Sequence, residues 1–308
     1  MSDSTHTPSL PTTSRHLSRI VATPPPAPGF IGEGHTAVEV LPPHDVARHD
    51  PFVLLMDDRL ELGRRRRIGG PHPHAGLETV TLVLAGKLWD RDEGELAAGE
   101  VAWMTAGRGI IHNEHVEAEG EVRILQLWIG LPTSQREAAP ALQVLRTNDV
   151  PLRHEPGVVA RVYSGSSGGV RPPTKNLVPV TLVEFELEPG RRVEQALPAS
   201  YRGFLYVVDG SVSVGDETAA QGSVAWFERA EHEAASGLVL SAGSAGARVV
   251  LYAGEPHGEA IVQRGPFVAG TLEGLAQFHW RFQERKFTPL SAVVKRERAE
   301  QTSGVGAL

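Results

Sequence analysis

Val83–Leu88 reads VLAGKL and Leu96–Met104 reads LAAGEVAWM; further along the chain, Val207–Val212 reads VVDGSV and Thr218–Phe227 reads TAAQGSVAWF. Gly86 maps onto Gly210 and Val101-Ala102-Trp103 onto Val224-Ala225-Trp226. A repeat this long places two copies of one module in tandem. Each copy runs strand, glycine turn, strand, glycine turn, strand, the pattern of antiparallel strands closing into a small barrel. The recurring Trp103 and Trp226 are expected to be core residues of the two copies.

Outward from the repeat, short runs rich in Val, Leu and Ile alternate with turn residues: Glu78–Leu84, Val122–Ile129, Val180–Leu187, Phe204–Val208 and Ala247–Tyr252. With 33 Gly and 23 Pro among 308 residues, the chain is expected to be all-β. Two stretches have helical spacing. One is short, around Ser134–Ala139; the other, Leu272–Arg285, sets Leu272, Leu275, Phe278 and Phe282 on one face. These residues carry too much apolar surface to remain in solvent and are expected to dock elsewhere on the fold. The expected division is a loose N-terminus over 1–16, a first module over 17–133, a second over 134–290 that includes the helix, and a loose tail over 291–308. The linker is placed near Pro132–Pro140.

Composition removes several classes of function. A net charge of −7 gives no electrostatic reason to bind nucleic acid or an anionic membrane. No run of about 18 apolar residues and no leader-like start occurs, so a cytoplasmic location is expected. There is no cysteine, which excludes disulfides, thiolate metal sites and cysteine nucleophiles. Walker, dinucleotide and nucleophile-elbow motifs are likewise missing from the sequence. Any metal must bind through His, Asp or Glu.

Such residues cluster in the first copy. In GGPHPHAGLETVTLVL, His72 and His74 stand two apart, and in MTAGRGIIHNEH, His112 and Glu114 do the same. Alternate strand residues share a face with Cα atoms roughly 6.5 Å apart, a span that suits two ligands of one ion. A lone His-x-His is often no more than two surface histidines. Two such pairs in one barrel instead suggest three imidazoles and a carboxylate, a donor set for Fe, Mn, Ni, Cu or Zn. Glu78 shares the parity of His72 and His74 and competes with Glu114. Glu114 is preferred because it completes the second pair, leaving Glu78 to orient an imidazole or line the rim. His115, out of phase, is expected to face solvent. Met56, Leu82 and Trp128 are candidates for an apolar pocket wall, and Gly107 and Gly109 for the turn entering the His112 strand. Arg64–Arg67 form a basic run that reads either as a solvated loop or as a gate for an anionic substrate or partner. At the equivalent places of the second copy stand Ala196, Pro198, Ala235 and Gly237, with only His232 and Glu233 nearby. The second module is expected to be metal-free.

PHPHAGLETVTLVLAGKL followed by GEVAWMTAGRGIIHNEH resembles the metal-site half of the pirins, which are bicupins. GEPHGEAIVQRGPFVAGT, Gly254–Thr271, resembles the pirin C-terminal signature. The likeness runs from about Leu17 to Phe287 and implies two tandem cupin barrels of jelly-roll type with a short C-terminal helix. It also implies that His72, His74, His112 and Glu114 are iron ligands. The resemblance further implies the quercetin 2,3-dioxygenase activity of some members, with O₂ as co-substrate, and in that reaction Glu114 is expected to accept the substrate's hydroxyl proton. Others are iron-dependent, redox-sensitive partners of transcription factors or metabolic enzymes. Pirins commonly carry Arg where this chain has Ala75 and Phe where it has Leu77, and the hairpin after Trp89 is shortened. The pocket rim therefore departs from the family while the ligand positions do not.

Overall fold

The computed structural model describes residues 13–42, 46–62, 67–92, 94–113, 116–118, 120–230 and 236–296. Arg64–Arg66, Glu114, His115, His232, Glu233 and Ala235 lie outside them, as does the side chain of Arg67. Among the described residues no helix is long and apolar enough to cross a membrane.

The two copies form two β modules. The first is built on a seven-stranded sheet whose centre is Leu77–Ala85 between Val101–Thr105 and Gly120–Gly130, with Phe52–Leu62 and His35–Leu41 beyond. The second is built on a ten-stranded sheet centred on Ser236–Gly254, Arg202–Val214 and Val180–Leu187. The repeat is visible in the backbone. Gly86 and Gly210 have φ of 75° and 72°, and at each a Cβ would overlap a neighbouring strand's carbonyl oxygen, so only glycine fits these turns.

Strand alternation explains why the central strands read as unbroken apolar runs. Along Leu77–Ala85, Leu77 and Val83 join the first module's inner core. Val80, Leu82 and Leu84 instead join a second core together with Trp103, Phe52, Leu127, Phe204, Tyr206, Trp226 and Tyr252. That second core is the seam between modules, so a strand buried on both faces shows no polar alternation. Trp103 and Trp226 are core residues, as the repeat suggests, and both belong to the seam. Leu82, expected at the pocket wall, is buried in the seam as well.

Charged groups in and beside the seam are matched in pairs. Asp57 accepts from Arg123 Nε at 2.9 Å and Nη2 at 2.6 Å, and from the Tyr206 hydroxyl of the other module at 2.6 Å. Burial and the adjacent Asp57 push the Tyr206 phenol upward, so it stays protonated and donates. In the second module Glu184 accepts from Arg248 Nε at 2.6 Å, while Arg248 Nη2 reaches back to the Leu84 carbonyl at 3.0 Å. The second module thus sends two hydrogen-bond donors to the first, one from Tyr206 and one from Arg248.

The modules also exchange their ends. Thr13–Ser14 and Arg19–Ala22 pair with Ser236–Gly254 and Ser223–Phe227 of the second sheet. Arg15 is buried there and donates to the carbonyls of Pro198 and Glu228 at 2.6 and 2.7 Å. The loose start expected through residue 16 is therefore ordered from Thr13, because a buried guanidinium must be fully bonded. Ala141–Leu145 pairs with Val101–Thr105, so the chain leaves the first sheet after Leu145 and not at 133. At the other end, Thr288–Pro289 pairs with Ile110–Ile111, and a helical segment follows over 290–296. Leu290 and Val293 are buried in the first module's inner core. The tail expected to be loose from 291 is thus ordered to 296, held by apolar burial that the charged run after it conceals.

The C-terminal helix spans Leu272–Gln283 and is capped by Thr271, whose hydroxyl accepts from the Gly274 amide at 3.1 Å. Leu275 and Phe278 pack with Ala75, Phe267, Ala269 and Phe287, so the helix docks on the first module. Leu272, at 74% exposed, and Phe282, at 39%, do not share that burial. Two of the four face residues suffice because Phe267 and Phe287, from the flanking segments, complete the cluster.

Candidate metal centre

His72 and His74 sit on the strand Pro71–His74, which pairs antiparallel with Ile110–Asn113 in a register that sets His112 opposite His72. Three imidazoles thereby meet, and their ligand atoms all lie within 4.8 Å of one another. The Nε2 atoms of His72 and His112 are 2.8 Å apart. Two cis nitrogens each about 2.1 Å from one ion stand roughly 3 Å apart, so the cluster fits a shared cation.

The outer side of the cluster is arranged to support that role. The Gly70 carbonyl lies 3.1 Å from His72 Nδ1, which leaves Nε2 to face inward. His74 is buried, and burial first, then the neighbouring His112 and His72, hold its pKa well below the ordinary imidazole range. It is therefore neutral, the form that ligates a metal. The edge of Trp128 meets the His74 ring at 5.0 Å between centroids, which places Trp128 against the site. Met56 is in register with Gln126, a residue lining a cavity inside the same module.

Glu78 is elsewhere. Its carboxylate accepts from Thr105 Oγ1 at 2.8 Å and from the Leu177 amide at 3.4 Å, and it is fully buried. Burial pushes its pKa up, against the pull of those donors. The parity that would have set it beside His74 is reset at Gly76, where φ is 75° and the chain passes from one sheet to another. Beyond that kink the even-numbered residues face the seam, which also explains Leu82. An isolated glycine inside a strand pattern is the signal for such a break.

The C-terminal segment closes the back of the site. The Val268 amide donates to the Ala75 carbonyl at 3.0 Å, and the Thr288 amide to the Gly109 carbonyl at 3.1 Å. A Cβ on Gly76 would overlap the Val268 carbonyl oxygen, and one on Gly109 would overlap the Phe287 ring. Gly76→Ala is accordingly expected to cost more than about 2 kcal/mol, since it adds a clash to an unfavourable φ. It should also cut metal retained per chain after gel filtration. Gly70→Ala, whose Cβ meets nothing within 4 Å, should retain metal as wild type does; equal retention by both variants would refute the role given to Gly76.

A group that the sequence reading missed adjoins the triad. Phe30 lies edge-on to His72 at 6.2 Å and to His35 at 5.9 Å, and His35 Nε2 is 2.7 Å from Asp58 Oδ1. These positions carry no motif, and the two members of the pair are 23 residues apart.

Comparison with known proteins agrees with this arrangement. Residues 36–129 match the pirin family model, and 182–288 match the pirin C-terminal cupin domain. Pirin-1 of Arabidopsis thaliana is 37% identical over 252 residues, covering 77% of this chain and 83% of the relative. The chain belongs to the pirin family. Among solved structures, a quercetin 2,3-dioxygenase from Acinetobacter baumannii superposes with a TM-score of 0.79 at 23% identity, over 89% of this pirin and 99% of that chain. A bacterial pirin from Escherichia coli in complex with nickel(II) superposes with a TM-score of 0.57 at 18% identity, over 77% of this chain and 100% of that one. Both establish the bicupin fold. In this pirin a three-histidine group able to hold a metal lies in the first cupin.

Proposed function

We propose that this pirin is a mononuclear metal oxygenase of the quercetin 2,3-dioxygenase type, acting with O₂ on a flavonol-like or other enolisable aromatic substrate. The observation that carries the reading is the convergence of His72, His74 and His112 in the first cupin. The fold shared with a quercetin 2,3-dioxygenase supports it. Iron is the proposed ion, with Mn, Ni, Cu and Zn as competitors because nitrogen and oxygen donors select weakly among them. Iron would supply Lewis acidity and the electron transfer that O₂ chemistry requires, whereas redox-inert zinc would supply only the first.

The chain's own residues do the rest. His72, oriented through Gly70, and His112 present Nε2 to a common point, and His74 joins them in its neutral form. Glu114, two residues beyond His112, is proposed as the fourth donor and as acceptor of the substrate's hydroxyl proton. Trp128 walls the side of His74 and keeps water from it. The test is oxygen uptake with quercetin by metal-loaded wild type and by His74→Ala. Uptake by wild type at least a hundredfold faster is expected, and equal rates would sink the proposal.

The modest cavity behind the site, about 50 Å³, favours a second reading in which the metal-loaded surface is read by a regulatory protein partner. That reading requires capture of a partner that depends on metal, without quercetin turnover.

A further inference from the structure

The loop before the first long strand ties the metal histidines to a buried acid–base pair. Phe30 is 81% exposed, yet its ring edges meet both His72 and His35. The Ile31 amide donates to His35 Nδ1 at 3.4 Å, so the ring proton sits on Nε2 and is given to Asp58 Oδ1 at 2.7 Å. The Gly69 amide donates to the Ile31 carbonyl at 3.1 Å, one residue from the Gly70 carbonyl that steadies His72. A side chain on Gly29 would overlap the His35 ring, so loop and pair are packed as one piece.

Behind Phe30 the cavity is lined by His35, Asp58, Thr81, Ile124 and Gln126 among others. Thr81 Oγ1 already donates to Gln126 Oε1 at 2.7 Å, and His35 gives its proton to one oxygen of Asp58. Among the described residues no donor reaches the second carboxylate oxygen of Asp58, which is open to a guest. A space of about 50 Å³ admits a hydroxyl group or a few waters and not an aromatic ring. The ring of a guest must stay at the mouth, where an exposed phenyl group awaits it.

From this geometry we infer that Phe30 and the His35-oriented Asp58 form the specificity site for a planar aromatic ring bearing a hydroxyl group. Phe30 packs against the ring and Asp58 accepts the hydroxyl's hydrogen bond, beside the metal triad. The inference rests on the oxygenase reading for its substrate class.

The test is anaerobic equilibrium binding to the metal-loaded protein, followed by quenching of tryptophan fluorescence, with two probes that share the hydroxyl and ketone pair able to chelate the ion: quercetin, and 3-hydroxyflavone as the flavone without further hydroxyls. Wild type should bind quercetin at least tenfold more tightly than 3-hydroxyflavone, the scale of one hydrogen bond to a charged group. Asp58→Asn should reduce that preference to within about twofold while leaving 3-hydroxyflavone affinity unchanged. Phe30→Ala should weaken both probes by about fivefold, and Phe30→Tyr should restore them, as expected for lost and regained ring contact. Preference retained by Asp58→Asn, or wild-type affinities in Phe30→Ala, would overturn the inference. Phe30 is exposed, so its variants fold and decide the matter even if Asp58→Asn does not. A wild type that consumes oxygen with quercetin while the variants bind as it does refutes this inference alone. A wild type that consumes none, yet binds through Phe30 and Asp58, refutes the oxygenase reading alone.

Discussion

Deleting residues 270–308 is expected to lower the melting temperature by about 10 °C or more and to release the metal, although no histidine ligand is removed. The deletion takes away Leu275, Phe278, Phe287, Leu290 and Val293, each at most 5% exposed. Burial of such a side chain contributes about 1.5–3 kcal/mol before chain entropy is subtracted. A net loss of several kcal/mol at about 2–4 °C per kcal/mol gives the shift. The loss of metal has a separate cause. Without Thr288–Pro289 the strand carrying His112 loses its parallel partner, and without Phe278 the support behind Ala75 and Phe267 is gone. Metal dissociation measured well below both melting temperatures separates the two effects. An unchanged melting temperature with full metal occupancy would show that the segment serves something other than this site.

The second large effect is expected in the seam. Asp57→Ala should destabilise by about 3–5 kcal/mol, because Arg123 is left as a buried charge without its carboxylate and the Tyr206 hydroxyl loses its acceptor. Tyr206→Phe, which removes one donor and leaves the ion pair, should cost about 1.5–3 kcal/mol. Denaturant titration of the two variants measures both. If Asp57→Ala costs no more than Tyr206→Phe, the ion pair contributes nothing beyond the link between modules. The double variant Asp57→Leu with Arg123→Met should recover part of the loss, since matched apolar groups need no compensation.

The division into two barrels was legible because duplication leaves the same turns at the same spacing, and Gly86 and Gly210 must be glycine in both. The histidine pairs were legible because strand alternation is local and Pro71–His74 is an unbroken strand. What the sequence concealed depends on distant neighbours or on breaks in that alternation. Counting strand parity through Gly76 sets Glu78 on the wrong face, because the positive φ there shifts every later side chain by one face; the same shift carries Leu82, a candidate for the pocket wall, into the seam. Phe30, His35 and Asp58 carry no spacing rule, since a loop, a strand end and an inner-face position meet only in three dimensions. The ordered ends were missed for a similar reason. Arg15 and Val293 each find their partners in the module furthest from them along the chain, and nothing nearby marks either as buried. Glu114 is a proposal from strand alternation and the family resemblance.

The exchange of ends also sets an order of events during synthesis. The three histidines emerge from the ribosome early, but the residues that brace their strands follow His112 by about 180 positions. At roughly 5–20 residues per second that interval is on the order of 10–40 s. A nascent first barrel therefore displays an unbraced histidine cluster for many seconds, able to sample whichever ion the surroundings offer and to let it go again. Any ion taken up before the last strand and helix close behind the site would meet histidines with less support than the finished chain gives them.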